Sequence, residues 1–287
     1  MTASTPVPDE SLSVRLWRKA LSRTADSAAP LMSLSKPYVD GLETLPRDGR
    51  FLLVGNHTQS GVEIILISYY VRHAIGHRVR PLADRRFGDM RGPQADVFTA
   101  YGALVGSHDN ADVLMQADEP VLVFPGGGSE IAKFKGEEYG LRWGNRTGFA
   151  RAAIRHEYPI VTAAQVGGDD LYTSFTSRDG TWGRFSQKLA ERFSGRTDMA
   201  LPLVRGIGPT LVPRPQRMYL RFGAPIETTG RGDISQDEWA ETIRDRVQAQ
   251  LARDLADLQQ LRDEDPYRHL NPLAWRAATM PPSAPVR

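Results

Sequence analysis

Short apolar runs alternate along this chain with stretches of helical periodicity. Arg50 to Val54 reads as a buried strand, and Ser60 to about Ala74 as a helix. Val79 to Leu82 is a second strand, and Phe98 to Val105 a loop leading into another that stops at Gly106. A helix begins over Asn110 to Met115, capped by Asp109 or Asn110. Pro120 to Phe124 is an uninterrupted apolar strand, Asn145 to His156 a helix and Ile160 to Val166 a strand. Strands alternating with helices predict an α/β sheet.

The flanks are less regular. Residues 1–9 read as disordered, and Ser11 to Ser27 as a helix with Leu12, Leu16, Trp17, Ala20 and Leu21 on one face. Lys36 to Leu45 reads as a short strand and turn, followed by a turn cluster at residues 46–49. After Gly168 the pattern weakens into a connection reaching about Arg196. Leu201 to Val212 and Arg217 to Phe222 read as two more strands. Ser235 to about Leu261 is a clear helix: Ser235 and Glu238 have capping-box spacing, and Trp239, Ile243, Val247, Leu251 and Leu255 form its apolar stripe. Residues 266–287 are proline-rich and expected to fray. The predicted organisation is an N-terminal tail and amphipathic helix over 1–30, one domain over 31–265, and a tail over 266–287.

Composition narrows the chemistry. There are 287 residues and no cysteines, so disulfides, thiolate metal sites and cysteine nucleophiles are excluded. A net charge of +2 gives no support for nucleic-acid binding. No segment approaches the roughly 20 apolar residues that span a bilayer. The first residues lack the charged start and apolar core of a signal peptide. For the helix at 11–27 two readings are open: packing on the domain, or lying at a membrane surface with Trp17 among basic residues.

His57 stands between the strand at 50–54 and the helix from about Ser60, with Glu63 six residues on. Strand-to-helix turns place side chains at the end of a sheet, where α/β proteins build sites. A histidine with a nearby acid is a ready general base, although Glu63 also reads as an ordinary first-turn acid. The second segment runs from Val121 to Glu130, where a buried strand ends in Phe124-Pro125-Gly126-Gly127-Gly128. Its backbone N–H groups are candidates to hold an oxyanion or phosphate; a plain tight turn is the other reading. It fits neither a Walker loop nor a dinucleotide fingerprint, and Ser129 is a poor nucleophile candidate because no nucleophile elbow surrounds it. Downstream lies a basic cluster of Lys133, Lys135, Arg142, Arg146 and Arg151. His73 and His77 have helical metal-ligand spacing but no third ligand pattern, so no metal is expected; His108 and His156 are expected at the surface.

These segments together resemble the glycerolipid (lysophospholipid) acyltransferase superfamily. Gly55-Asn56-His57-Thr58 resembles its catalytic block, Gly102 to Ala111 the second, Phe124 to Gly127 the third and Tyr158-Pro159-Ile160-Val161 the fourth. Lys135-Gly136-Glu137, Trp143 and Arg146 to Arg151 resemble the branch related to monoacylglycerol and diacylglycerol acyltransferases. Two departures stand out. The family's acid falls at the place of Val62, one residue before Glu63, and Gly126 stands where many members carry glutamate. An arginine common in the second block is also missing, with His108 near its place.

The resemblance implies a single-domain α/β fold with a mixed central sheet flanked by helices. It implies transfer of a fatty acyl group from acyl-CoA, as co-substrate, to the hydroxyl of a lipid acceptor, without a cofactor. His57 would be the base and Glu63 its partner. Asn56, Thr58, Phe124, Pro125 and Gly126 to Gly128 would line the substrate site, and Lys133, Lys135, Arg142 or Arg146 would hold coenzyme A phosphates. Gly126 in place of glutamate points to a neutral acceptor. The implied location is cytoplasmic, peripheral on the inner face of the membrane. A lipid ester or thioester hydrolase, and a lipid-binding protein without catalysis, are the rival readings. Deleting residues 1–28 is expected to weaken co-sedimentation with lipid vesicles; unchanged sedimentation would make that segment structural only.

Overall fold

A computed structural model describes residues 35–83, 104–105, 108–195 and 200–282. The predicted helix at 11–27, residues 98–103 of the predicted segment at 98–105, and residues 102–103 and 106–107 of the second block lie outside them.

Seven strands form the main sheet: β1 (Tyr38–Asp40), β2 (Leu52–Gly55), β3 (Arg80–Ala83), β4 (Leu104–Val105), β5 (Val121–Val123), β6 (Ile160–Val166) and β9 (Tyr219–Phe222). β7 (Thr173–Ser174) and β8 (Val204–Arg205) form a separate antiparallel pair. The main sheet runs β1-β9-β6-β2-β5-β3-β4. β6 meets β9 antiparallel, and the other pairings are parallel, so the sheet is mixed.

The alternation of apolar residues along each strand feeds two cores. On one face Leu52, Val54, Val121, Ile160, Ala164 and Tyr219 pack beneath helices α2 (His108–Gln116), α4 (Gly148–Arg155) and α6 (Gln236–Glu264). On the other, Leu53, Leu122, Val161, Ala163, Leu220 and Phe222 pack against Leu66, Ile67 and Val71 of α1 (Val62–Ile75). Every residue of β6 is buried, as a strand covered on both faces requires. The result is the three-layer α/β arrangement with a mixed central sheet expected from the sequence.

Helix α6 starts where the capping box predicts. Ser235 Oγ accepts the Glu238 N–H at 3.2 Å, and the Glu238 carboxylate accepts the Ser235 N–H at 2.9 Å. Its stripe of Trp239, Ile243, Val247, Leu251 and Leu255 is buried, each residue worth about 1.5–3 kcal/mol of transfer free energy.

Several local expectations fail for identifiable reasons. The helix at α2 begins at His108, so Asp109 and Asn110 lie inside it and do not cap it. The stretch from Leu201 to Val212 holds only the two-residue β8, then a turn in which the Ile207 N–H donates to the Val212 carbonyl. The connection after Gly168 contains a 14-residue helix, α5 (Thr181–Ser194). It escapes a pattern search because its polarity is inverted. Gly183 and Ser186 face inward, while Trp182, Phe185 and Leu189 are exposed. His156 is not a free surface residue: Nε2 lies 2.7 Å from Asp112 Oδ1, with the ring largely buried.

Residues 266–282 do not fray. Arg217, fully buried, donates to Asp265 Oδ2, to the Thr279 carbonyl and to the Lys36 carbonyl, each at 2.6 Å. The Tyr219 hydroxyl donates to the same Asp265 oxygen at 2.5 Å. Burial alone would push the Asp265 carboxyl up, but the Tyr219 hydroxyl and the Arg217 guanidinium outweigh it and hold the carboxyl below its usual value. A depressed folded-state pKa contributes stability that is complete above the unfolded value of about 3.9 and is lost as pH falls through the folded one. Arg217→Met strands a buried carboxylate and is expected to lower the unfolding free energy at pH 7 by about 3–5 kcal/mol. In urea denaturation series the gap to the parent should narrow as pH falls, because burial without the guanidinium lets the variant's carboxyl take up its proton before the parent's does. A gap independent of pH would show that the guanidinium acts by packing alone.

Candidate active site

Strands β2, β5 and β6 run parallel and neighbour one another, so their C-terminal ends open into three adjacent loops. β2 leads to Asn56, His57 and Thr58, β5 to the glycine turn, and β6 to Gly167 and Asp169. Asn56 joins the first loop to β6: its amide donates to the Gln165 carbonyl at 2.9 Å and accepts the Gln165 N–H at 2.8 Å. Asn56 therefore holds the chain rather than facing a ligand.

Helix α1 starts at Val62, with Gly61 preceding it at φ 70°, a left-handed conformation that costs glycine little. This turn brings the carboxylate of Glu63, one residue later than in the resembling block, back to the histidine. Glu63 Oε1 is in hydrogen-bond contact with His57 Nδ1, and Oε2 accepts from the Thr58 hydroxyl. Glu63 is completely buried, while the His57 side chain keeps 13% exposure. The imidazole stacks on Phe124, with ring centroids 4.5 Å apart and planes 20° apart. No described residue bonds Nε2, so the ring is held at Nδ1 and on one face. Thr58 thus orients the acid from behind, a use of that residue different from ligand contact.

The glycine turn is built as a hydrogen-bonded loop. The Gly127 N–H donates to the Phe124 carbonyl at 2.9 Å, so one of the three candidate donors is already committed. The N–H groups of Gly126 and Gly128 donate to no described residue. Arg146 donates to the carbonyls of Pro125 and Gly126 at 2.7 and 2.8 Å. It stiffens the turn, although it is exposed.

The basic cluster divides. Lys133 is 2% exposed and its ammonium donates to Asp169 Oδ2 at 2.6 Å. So enclosed and paired, this cation ties its own loop to the one that follows β6. Arg142 pairs with Glu137 at 2.6 Å, and Glu137 also takes both Nε and Nη2 of Arg178. Burial raises the Glu137 carboxyl, but the Arg178 and Arg142 guanidiniums and the Phe134 N–H overcome it and bring it down to about 2. Lys135 is exposed and makes no ion pair among the described residues. Arg151 pairs with Asp237 on the far side of α4.

Two acids that the sequence reading left unassigned organise these loops. Asp169 accepts the Gln59 N–H at 2.8 Å through Oδ1, and Lys133 and the Tyr139 N–H, at 2.9 Å, through Oδ2. Glu130, inside the segment already singled out, accepts the His57 N–H at 3.0 Å and the Arg142 N–H at 2.8 Å. Neither role follows a periodic pattern, so only the density of polar residues beside an apolar strand end could have flagged them.

The Acyltransferase family model matches residues 36–166, from β1 to the end of β6. Phytyl ester synthase 2, chloroplastic, of Arabidopsis thaliana is 31% identical over 252 residues, covering 82% of this chain and 36% of that protein. The chain thus spans about a third of the length of that relative. The DGAT1/2-independent enzyme synthesizing storage lipids of Bos taurus is 29% identical, covering 84% of this chain and 66% of that protein. The crystal structure of the 1-acyl-sn-glycerophosphate acyltransferase PlsC of Thermotoga maritima aligns with a TM-score of 0.46 at 16% identity, over 84% of this chain and 81% of that one. The matched region carries the His57 turn, Glu63 and the glycine turn, and over it the chain is similar to the acyltransferases.

Proposed function

We propose that this protein transfers a fatty acyl group from acyl-CoA to the hydroxyl of a lipid alcohol, with His57 as general base. One observation carries the reading: a solvent-reachable imidazole is fixed at Nδ1 by a buried carboxylate, which leaves Nε2 open beside a glycine turn with uncommitted N–H groups.

The chemistry follows from that arrangement. Nε2 takes the proton of the acceptor hydroxyl as its oxygen attacks the thioester carbonyl carbon. The carbonyl oxygen becomes an oxyanion, which the Gly126 and Gly128 N–H groups stabilise. The C–S bond then breaks, and the imidazolium returns the proton to the departing thiolate. Glu63 holds the imidazole in the tautomer with hydrogen on Nδ1 and stabilises the imidazolium. Thr58 fixes Glu63 in turn. General-base catalysis typically supplies about 10²- to 10⁴-fold, and each oxyanion donor about 3 kcal/mol. Exposed Lys135 and Arg146, with half-buried Arg142, are the remaining candidates for the coenzyme A phosphates.

We further propose that the protein works at a lipid surface. On α5, Trp182, Phe185 (55% exposed) and Leu189 lie on the outside, and Arg184, Lys188 and Arg192 are exposed on the same helix. Helix α5 holds the strand leading to β8, since Trp182 Nε1 and the Ser186 hydroxyl donate to the Leu201 carbonyl. Beyond it Ile207, Leu211 and Val212 are also exposed. Aromatic and aliphatic groups mixed with cations suit an anionic lipid interface. Among the described residues no helix is long and apolar enough to cross a membrane.

His57→Ala is expected to abolish acyl transfer, a loss of about 10³-fold or more, while acyl-CoA binding by calorimetry stays near the parent value. Glu63→Gln should lower the rate by about one to four orders of magnitude. The assay is mass spectrometry of products from mixed acyl-CoAs and a lipid extract. Coenzyme A release without an alcohol acceptor would replace transfer by hydrolysis, and full activity of His57→Ala would end the assignment. Phe185→Ser with Leu189→Ser should reduce co-sedimentation with vesicles containing anionic phospholipid while leaving thermal unfolding unchanged. Undiminished sedimentation would remove α5 from the lipid surface.

A further inference from the structure

Glu130 is a buried ionisable group, in hydrogen-bond contact with the main chain of His57, that the proposed mechanism does not use. It has no solvent exposure, and it sits in the short helix α3 (Gly128–Ile131) directly after the glycine turn. Its two carboxylate oxygens serve two main-chain donors from different loops: Oε2 accepts from His57, 73 residues away, and Oε1 from Arg142, 12 residues away. The space it fills belongs to another residue. A Cβ added at Gly126 would stand 2.1 Å from the carboxyl carbon of Glu130 and 2.2 Å from Oε1. Glycine at 126 is therefore a vacancy in the chain into which the side chain of residue 130 folds back.

We propose that Glu130 is a positioning residue for His57. It fixes the main chain of the base from beneath and adds a second carboxylate, after Glu63, to the surroundings of the imidazole. This inference rests on His57 being the reactive group.

Two features make the carboxylate necessary rather than merely convenient. Both partners are N–H donors, and a carboxylate offers an acceptor to each. A glutamine in the same place would turn its NH₂ group toward one of them, leaving a donor facing a donor in a buried site. The second feature is charge. Burial pushes the Glu130 carboxyl up, opposed by the His57 and Arg142 N–H groups, by Lys133 and by His57 itself. The charged groups around the pair are Glu63 on α1 at His57 Nδ1, Lys133 beyond α3, held by Asp169, and Arg142, held by Glu137. An anion beneath the imidazole stabilises the imidazolium that forms during turnover.

The test compares the full chain with Glu130→Gln and Gly126→Ala. For Glu130→Gln, kcat is expected to fall about a hundredfold, the loss that follows a small displacement of a reacting group. KM for acyl-CoA should stay within about twofold, as uniform binding is untouched. NMR of the His57 and Arg142 main-chain amides, which needs no turnover, should show at least one of the two signals displaced as its acceptor is lost. In Gly126→Ala the added methyl displaces the carboxylate, and the same fall in kcat is expected. An unchanged kcat in Glu130→Gln, or unmoved His57 and Arg142 amide signals, overturns the proposal. Absence of acyl transfer by the parent protein with the amide signals displaced in the variant would instead refute the acyl-transfer reading and leave the positioning role standing.

Discussion

The loops at the C-terminal ends of β2, β5 and β6 are held together by one buried ion pair, Lys133 with Asp169. Putting two charges out of water is costly, and the cost is offset only when the geometry is close and the remaining valences are filled. Here they are. Asp169 also takes the Gln59 and Tyr139 N–H groups, and the Lys133 carbonyl accepts from the Ser174 hydroxyl at 2.6 Å. Because Gln59 lies two residues from His57, the pair fixes the exit path of the histidine loop. Asn56 fixes its entry, Glu130 its middle and Thr58 with Glu63 its side-chain face. The imidazole is thus constrained from four directions by groups that themselves stay away from solvent.

That division of labour separates residues that hold from residues that can react. Of the polar groups gathered at the strand ends, Asn56, Thr58, Glu63, Glu130, Lys133 and Asp169 are all buried. His57 retains partial exposure, as do the outer basic residues Lys135 and Arg146. A rigid inner layer carrying a small accessible group is what preorganised chemistry requires, since movement of about 1 Å is enough to lose rate.

Much of the fold was legible because its signal is periodic. β6 falls on Ile160–Val166 as the apolar run indicates, and α6 begins at the capping box that Ser235 and Glu238 spell out. His57 and the glycine turn were legible because they interrupt apolar strands. What the sequence hid lies in contacts that have no period. Lys133 looks like any surface cation until Asp169, 36 residues on, is folded against it. Helix α5 was hidden by its inverted polarity, with glycine and serine inward. The docking of residues 266–282 depends on Arg217, whose partners Lys36 and Thr279 are 181 and 62 residues away.

The fit between Gly126 and Glu130 has an evolutionary consequence. The two positions share one volume, so a carboxylate-bearing side chain at 126 and the present rotamer of Glu130 exclude each other. Any lineage exchanging one arrangement for the other must pass through a chain that has both side chains or neither. The first is overfilled and the second leaves the His57 and Arg142 N–H groups buried without an acceptor. Selection at either position therefore depends on the residue at the other, and the pair should change together or persist together.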